Sequence, residues 1–266
     1  MNLTEQIKQK KTFLCVGLDP DLNKIPQHLL QTNDPIFEFN KAIIDATKDI
    51  CVAYKPNFAF YEAQGAKGWE SLQKTVAYIG DEHFKIADAK RADIGNTAKQ
   101  YAKSVFEQMN FDAITLSPYM GQDSVLPFLE YPNKYAILLT LTSNAGSADF
   151  QTKKLLTGDY LFEEVLQESS QWENADRIMY VVGATKTGYL QKIRRWAPDN
   201  FLLVPGIGAQ GGDADKVIKE GMNKNIGLLI NVARSIIYSG KDLNFQEKVR
   251  AKAMEYNQLM AKHVIA

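Results

Sequence analysis

The stretch Phe84–Thr97, FKIADAKRADIGNT, sets acids and a base at a spacing that could do chemistry. Asp88 and Lys90 are two residues apart, so on a strand both would point to one face. Asp93 follows three residues later, and Lys55 in the separate run AYKPN offers a second base. Acids and bases alternating in a confined site keep one another ionised. A lysine held in this way is a cationic proton donor, not a Schiff-base nucleophile, which needs a depressed pKa. Read alone, the same residues also fit a structural ladder of salt bridges.

A second signal lies near the C-terminus. The run PGIGAQGGD carries Gly206, Gly208, Gly211 and Gly212 between an apolar run and an amphipathic one. Glycines let the backbone approach a ligand closely, and the free N–H groups at a helix start face an anion. The run INVARSI follows, where the Arg234 guanidinium suits two phosphate oxygens at once. Together the two features predict a phosphate site, against the plainer reading of a tight turn and a surface arginine.

These residues need elements to position them. Short apolar runs read as strands at Phe13–Leu18, Val52–Lys55, Phe84–Ala89, Ala113–Leu116, Ala136–Leu141, Ile178–Val182, Phe201–Val204 and Gly227–Ile230. Helix-like segments lie between them, among them Pro35–Lys48, Trp69–Ile79, Asn96–Met109, Tyr160–Trp172 and Asp213–Glu220. Strand and helix in alternation imply parallel strands joined by right-handed crossovers. Eight such units in this length predict a single (β/α)8 TIM barrel of class α/β over residues 1–266, with its site at the C-terminal strand ends. A doubly wound sheet would carry a Gly-rich fingerprint after its first strand, where this chain has GLDPDLNKIP. In the barrel, Asp19, Lys55, Asp88, Lys90, Ser117, Tyr119 and Arg234 all fall at or just beyond strand ends. Polar groups converging on one mouth describe a site.

Composition narrows the function. Lys plus Arg and Asp plus Glu are 31 each in 266 residues, so bulk charge argues for neither nucleic acid nor an anionic membrane. No apolar run approaches the roughly 18 residues of a membrane-spanning helix, and the start, MNLTEQIKQKK, lacks the apolar core of a signal peptide. Cys15 and Cys51 each sit in an apolar run, which predicts buried reduced thiols and a cytoplasmic protein. His28, His83 and His263 are scattered without ligand spacing, so no metal is expected.

The motifs CVGLDP, YKPN, DAKRADIGNT, TSNAGS, PGIGAQGGD and ARSI, in this order over nearly the whole chain, resemble orotidine 5′-phosphate decarboxylases. The run of SPYMG, TSNAGS and GAT is most similar to their bacterial type 2 branch. Two departures stand out. TSNAG has Ala145 where that branch usually has proline, and Ala233 stands where a glycine often precedes the arginine. The resemblance implies conversion of orotidine 5′-phosphate to UMP and CO2 in pyrimidine biosynthesis, without a cofactor. It implies that Lys90 protonates C6 of the pyrimidine while Asp88 lies beside the substrate carboxylate. Asp93, Ile94 and Thr97 would reach the site of the other subunit in a homodimer. Asp19 and Lys55 would contact the ribose, with Lys55 bridging to Asp88, and Ser143 would bond the pyrimidine edge. Gly208, Gln210, Gly211, Ala233 and Arg234 would grip the phosphate, and Ala184–Leu190 would form part of a lid. Related lyases with magnesium typically place a glutamate before the aspartate of D-x-K-x-x-D or on a neighbouring strand end; here Ala87 precedes Asp88.

Overall fold

The computed structural model describes residues 3–207 and 213–264. Eight strands appear where the apolar runs predicted them: β1 Leu14–Leu18, β2 Ala53–Pro56, β3 Phe84–Arg91, β4 Ala113–Leu116, β5 Tyr135–Leu141, β6 Ile178–Val182, β7 Leu202–Pro205 and β8 Leu228–Val232. Their hydrogen-bonded order is sequential from β1 to β8, and it closes on itself as a barrel. The paired registers are parallel, as between Cys15 and Ala53 or Ala113 and Tyr135. β1, β2, β4, β6 and β8 are buried along their whole length. Strands covered on both faces are apolar without alternation, which is why short continuous runs marked them.

The residues cluster into two compact units. The first comprises Met1–Ala89, Met109–Phe111 and Asn231–Ala266. Its helix Pro35–Thr47 starts at Asp34, whose carboxylate accepts from Phe37 N at 3.1 Å, with Pro35 in the first turn where its missing N–H costs nothing. That helix buries Phe39 in a stack with Tyr238 and Phe245, ring centroids 5.7 and 5.9 Å away. Its buried Asn40 donates through its amide nitrogen to Tyr61 Oη at 2.9 Å and Thr75 Oγ1 at 3.0 Å, while its Oδ1 meets no partner. The second unit comprises Lys90–Gln108 and Asp112–Ile230. There Arg194 is caged by backbone carbonyls, donating to Gly221, Ala197, Asn200 and Gly227 at 2.6–2.9 Å. Burial lowers its pKa to about 10.

Helix ends differ from expectation in informative ways. The stretch read as Asn96–Met109 is an α-helix over Gly95–Lys103 that widens to a π-helix over Ser104–Gln108. Two further helices carry too little apolar pattern to stand out. Leu3–Lys10 buries only Leu3 and Ile7, and the 17-residue Phe245–Ala261 buries the thin stripe Phe245, Val249, Ala253 and Met260. Among the described residues no helix is long and apolar enough to cross a membrane.

Candidate active site

In the first unit, the ends of β1 and β2 and the body of β3 bring together Asp19, Lys55 and Asp88. Lys55, 5% exposed, donates to Asp88 Oδ2 at 2.5 Å, and Asp88 is itself 8% exposed. Burial alone would drive the lysine toward neutrality. The charges of Asp88 and Asp19, with the hydrogen bond to Asp88, outweigh it and raise its pKa above the ordinary lysine value. The carboxylates around it thus favour the charged form of Lys55.

Asp19 is half-buried just past β1. Its backbone carbonyl accepts from Tyr238 Oη at 2.6 Å, and the same hydroxyl accepts from Asp21 N at 2.7 Å. Tyr238, beyond β8, thus clamps the loop that presents Asp19. Ala233 and Arg234 lie between, where the short helix Arg234–Ile237 begins, and Arg234 is exposed. The thiol of Cys15, below this loop, is buried beside Asn231 and pushed up by that burial, so it is inert as a nucleophile.

The second unit carries the other residues. Lys90 is exposed and its backbone φ is +47°, in the left-handed region. Its N–H donates to Thr115 Oγ1 at 2.9 Å. Asp93 is half-buried and accepts from Ile94 N at 2.9 Å through its own carboxylate. Ile94 is 51% exposed, and Thr97 is exposed on the first turns of the helix Gly95–Lys103. Ser143 is half-buried beyond β5, and its carbonyl accepts from Thr185 Oγ1 at 3.5 Å. The segment Ala184–Tyr189 is a 3₁₀ helix with a kink at Lys186. Ser117 and Tyr119 line an apolar cleft of about 730 Å³ with Leu139, Phe150 and Phe162. Gly208, Gln210 and Gly211 lie outside the described residues.

The profile of the Orotidine 5'-phosphate decarboxylase / HUMPS family matches residues 12–249. The chain belongs to that family. It is 60% identical over 263 residues to an orotidine 5'-phosphate decarboxylase of Flavobacterium johnsoniae, covering 98% of this chain and 96% of that one. With the Bacteroides fragilis (strain YCH46) protein of the same description it shares 55% over 268 residues, 100% of this chain and 98% of the relative. Among solved structures it is similar to Leishmania donovani OMP decarboxylase, with a TM-score of 0.86 at 34% identity and all of both chains covered. The barrel read from the sequence is thus also the architecture of its structural neighbour.

Within this family's motifs, several supporting residues had no chemical signature of their own. A Cβ on Gly17 would lie 2.6 Å from Ala233 Cβ, so the glycine of CVGLDP makes room for the alanine of VARS. The expectation that Ala233 helps grip the phosphate therefore omitted its neighbour. A Cβ on Gly183 would come within 2.6–2.8 Å of Ser143 N, Cα and Cβ, so that glycine sets the approach of Ser143. Thr115 and Tyr238 hold Lys90 and Asp19 by one hydroxyl each. Their only trace in sequence is a polar atom in otherwise apolar surroundings.

Proposed function

We propose that the chain is a carboxy-lyase that converts orotidine 5′-phosphate to UMP and CO2, with Lys90 delivering the proton to C6. The observation that carries the reading is the buried, hydrogen-bonded Lys55–Asp88 pair, with Lys90 two residues further along β3. Breaking the bond between C6 and the carboxyl carbon leaves an electron pair on C6 that no group within the pyrimidine spreads effectively. An ammonium beside that carbon stabilises the charge as it develops and then forms the new C6–H bond. The lysine is left as a neutral amine and recovers its proton from water. Asp88, held ionised by Lys55, stands beside the substrate carboxylate and relinquishes a repulsion as CO2 departs; Lys55 and Asp19 hold the ribose.

The remaining roles follow the motifs. Ser143 bonds the pyrimidine edge, while Gly208, Gln210, Gly211, Ala233 and Arg234 grip the phosphate. The phosphate is remote from C6, so its binding energy lowers the barrier through closure of Ala184–Leu190, tighter in the transition state than in the ground state. Asp93, Ile94 and Thr97 serve the site of a second copy in a homodimer. The exposure of Ile94, 51% in the isolated chain, supports this, because an apolar side chain on a charged helix start gains from being covered. Two buried free thiols, Cys15 and Cys51, suit a reducing cytoplasm.

Purified protein should bleach the absorbance of orotidine 5′-phosphate in the presence of EDTA; a strict metal requirement would sink the cofactor-free reading. Lys90→Ala should abolish turnover while UMP still binds and melting stays cooperative. Mixing inactive Lys90→Ala with inactive Asp93→Asn under conditions of subunit exchange should restore activity, because one of the two sites in a mixed dimer is intact. No recovery despite confirmed exchange would assign Asp93 to its own chain's site.

A further inference from the structure

Lys90 is in an unusual place for its backbone. Six described non-glycine residues have positive φ: Lys11, Lys90, Asn110, Asn133, Asn174 and Ile226. Three are asparagines, which tolerate the left-handed region through local hydrogen bonds. Lys90 is the one that lies inside a strand, as the seventh of the eight residues of β3. For a lysine that conformation costs on the order of 1–2 kcal/mol, and a strand offers it no steric reason to persist.

Hydrogen bonding shows what holds it. In a regular parallel ladder the Lys90 N–H would meet a main-chain carbonyl; here it meets the side-chain oxygen of Thr115 at 2.9 Å. One residue on, Arg91 O accepts from Ser117 N at 2.9 Å, a main-chain bond to the segment after β4. Thr115 and Ser117 therefore bracket the kink from one side, the first by its hydroxyl and the second by its backbone. Thr115 is well anchored for the task. It is 1% exposed, its backbone is in register with Ile137 of β5, and its β-branched side chain has restricted χ1 freedom.

The kink also changes exposure along β3. Asp88 and Lys90 have the same parity and in a regular strand would share an environment. Asp88 is buried and Lys90 is exposed.

We infer that Thr115 is a positioning residue for Lys90: its hydroxyl, by accepting the Lys90 N–H, holds the left-handed turn that presents the lysine's ammonium to substrate. The inference rests on Lys90 being the proton donor. Thr115 touches no reacting atom. Its contribution is orientation, and misplacing a reacting group by about 1 Å costs on the order of 100-fold in rate.

The experiment compares Thr115→Val, which keeps the shape and removes the hydroxyl, with Thr115→Ser, which keeps the hydroxyl and removes the methyl. Turnover of orotidine 5′-phosphate is followed by its absorbance, and UMP affinity by calorimetry. Thr115→Val should lower kcat about 10- to 100-fold, with KM and UMP affinity within about threefold of wild type. Thr115→Ser should keep at least about a third of kcat. Wild-type kcat in folded Thr115→Val would overturn the inference. So would equal losses in both variants, which mark a packing role, or a rise in KM without loss of kcat. If Thr115→Val does not fold, amide exchange of Lys90 in the wild-type chain decides: protection supports the bond, and exchange at the rate of a free peptide overturns it. Failure of the underlying reading looks different, because then wild type would not turn over, or Lys90→Ala would remain active.

Discussion

β3 meets an ion pair at each of its ends, and the two are built differently. Toward its C-terminal end Asp88 pairs with Lys55, and the two side chains are 9% and 6% exposed. At its N-terminal end Lys85 pairs with Asp81 at 2.9 Å, and there the lysine side chain is 3% exposed but the aspartate 87%. Lys85 is as dry as Lys55, but its carboxylate partner stands in water and has kept its hydration. Lys55 and Asp88 have both given up their water, and their attraction must offset two desolvation penalties. A dry pair is a poor device for stability and a good one for fixing charge. In a (β/α)8 barrel the C-terminal strand ends are where catalytic residues gather, and the opposite ends serve stability.

The largest test of this contrast is Asp88→Ala, which strands the Lys55 ammonium in a buried site. Losing one partner of such a pair costs about 3–5 kcal/mol, or roughly 6–20 °C in Tm for a chain of this size. Turnover should vanish with it. Thermal melting checks the first effect, and a loss no greater than that of Asp81→Asn would erase the distinction between the two ends.

Next in size is the pH response of Lys55→Met. In the wild type Lys55 titrates above the ordinary lysine value. Its stabilisation is therefore complete below a pH of about 10.5 and is lost only as pH rises through the higher folded value. The Met variant leaves Asp88 buried without its cation, which raises the carboxyl pKa, so that variant gains stability as pH falls. The gap in Tm between wild type and Lys55→Met should be wide from pH 7 to 9 and narrow toward pH 5. A gap constant over that whole range would mean that Asp88 is not the group left behind.

Asp81→Asn should do least. Water replaces an exposed carboxylate easily, so melting should shift by about 1 kcal/mol or less. The amide can keep a bond like the one Asp81 accepts from Asn110 Nδ2 at 3.2 Å. Raising NaCl to about 0.5 M should shrink even that, because salt screens exposed charges and spares buried ones. A salt-insensitive loss comparable to that of Asp88→Ala would show that both ends of β3 are built alike.

Much of this was legible in the sequence, for physical reasons that vary by element. Most of the strands could be read because they are buried along their length and largely apolar, as β1, β4, β6 and β8 are. Leu3–Lys10 and Phe245–Ala261 escaped because each buries only a few residues of a largely polar helix. The pairing of Lys55 with Asp88 was implied by the resemblance to orotidine 5′-phosphate decarboxylases, while strand position alone placed the two charges only at adjoining strands. The hydroxyl of Thr115 and the bare Cα atoms of Gly17 and Gly183 were not. Their importance lies in what packs against them, and each neighbour is remote in sequence.

Residue type and order alone determined the parallel strand-and-helix alternation and the ends at which Asp19, Lys55, Asp88, Lys90, Ser143 and Arg234 would fall. Period and polarity are local properties that survive in a linear string. Tertiary structure alone decided which charges became dry, that β3 breaks its pleat at Lys90, and that a threonine 25 residues away holds the break. Burial and hydrogen-bond partnership depend on atoms that meet only when the chain has folded.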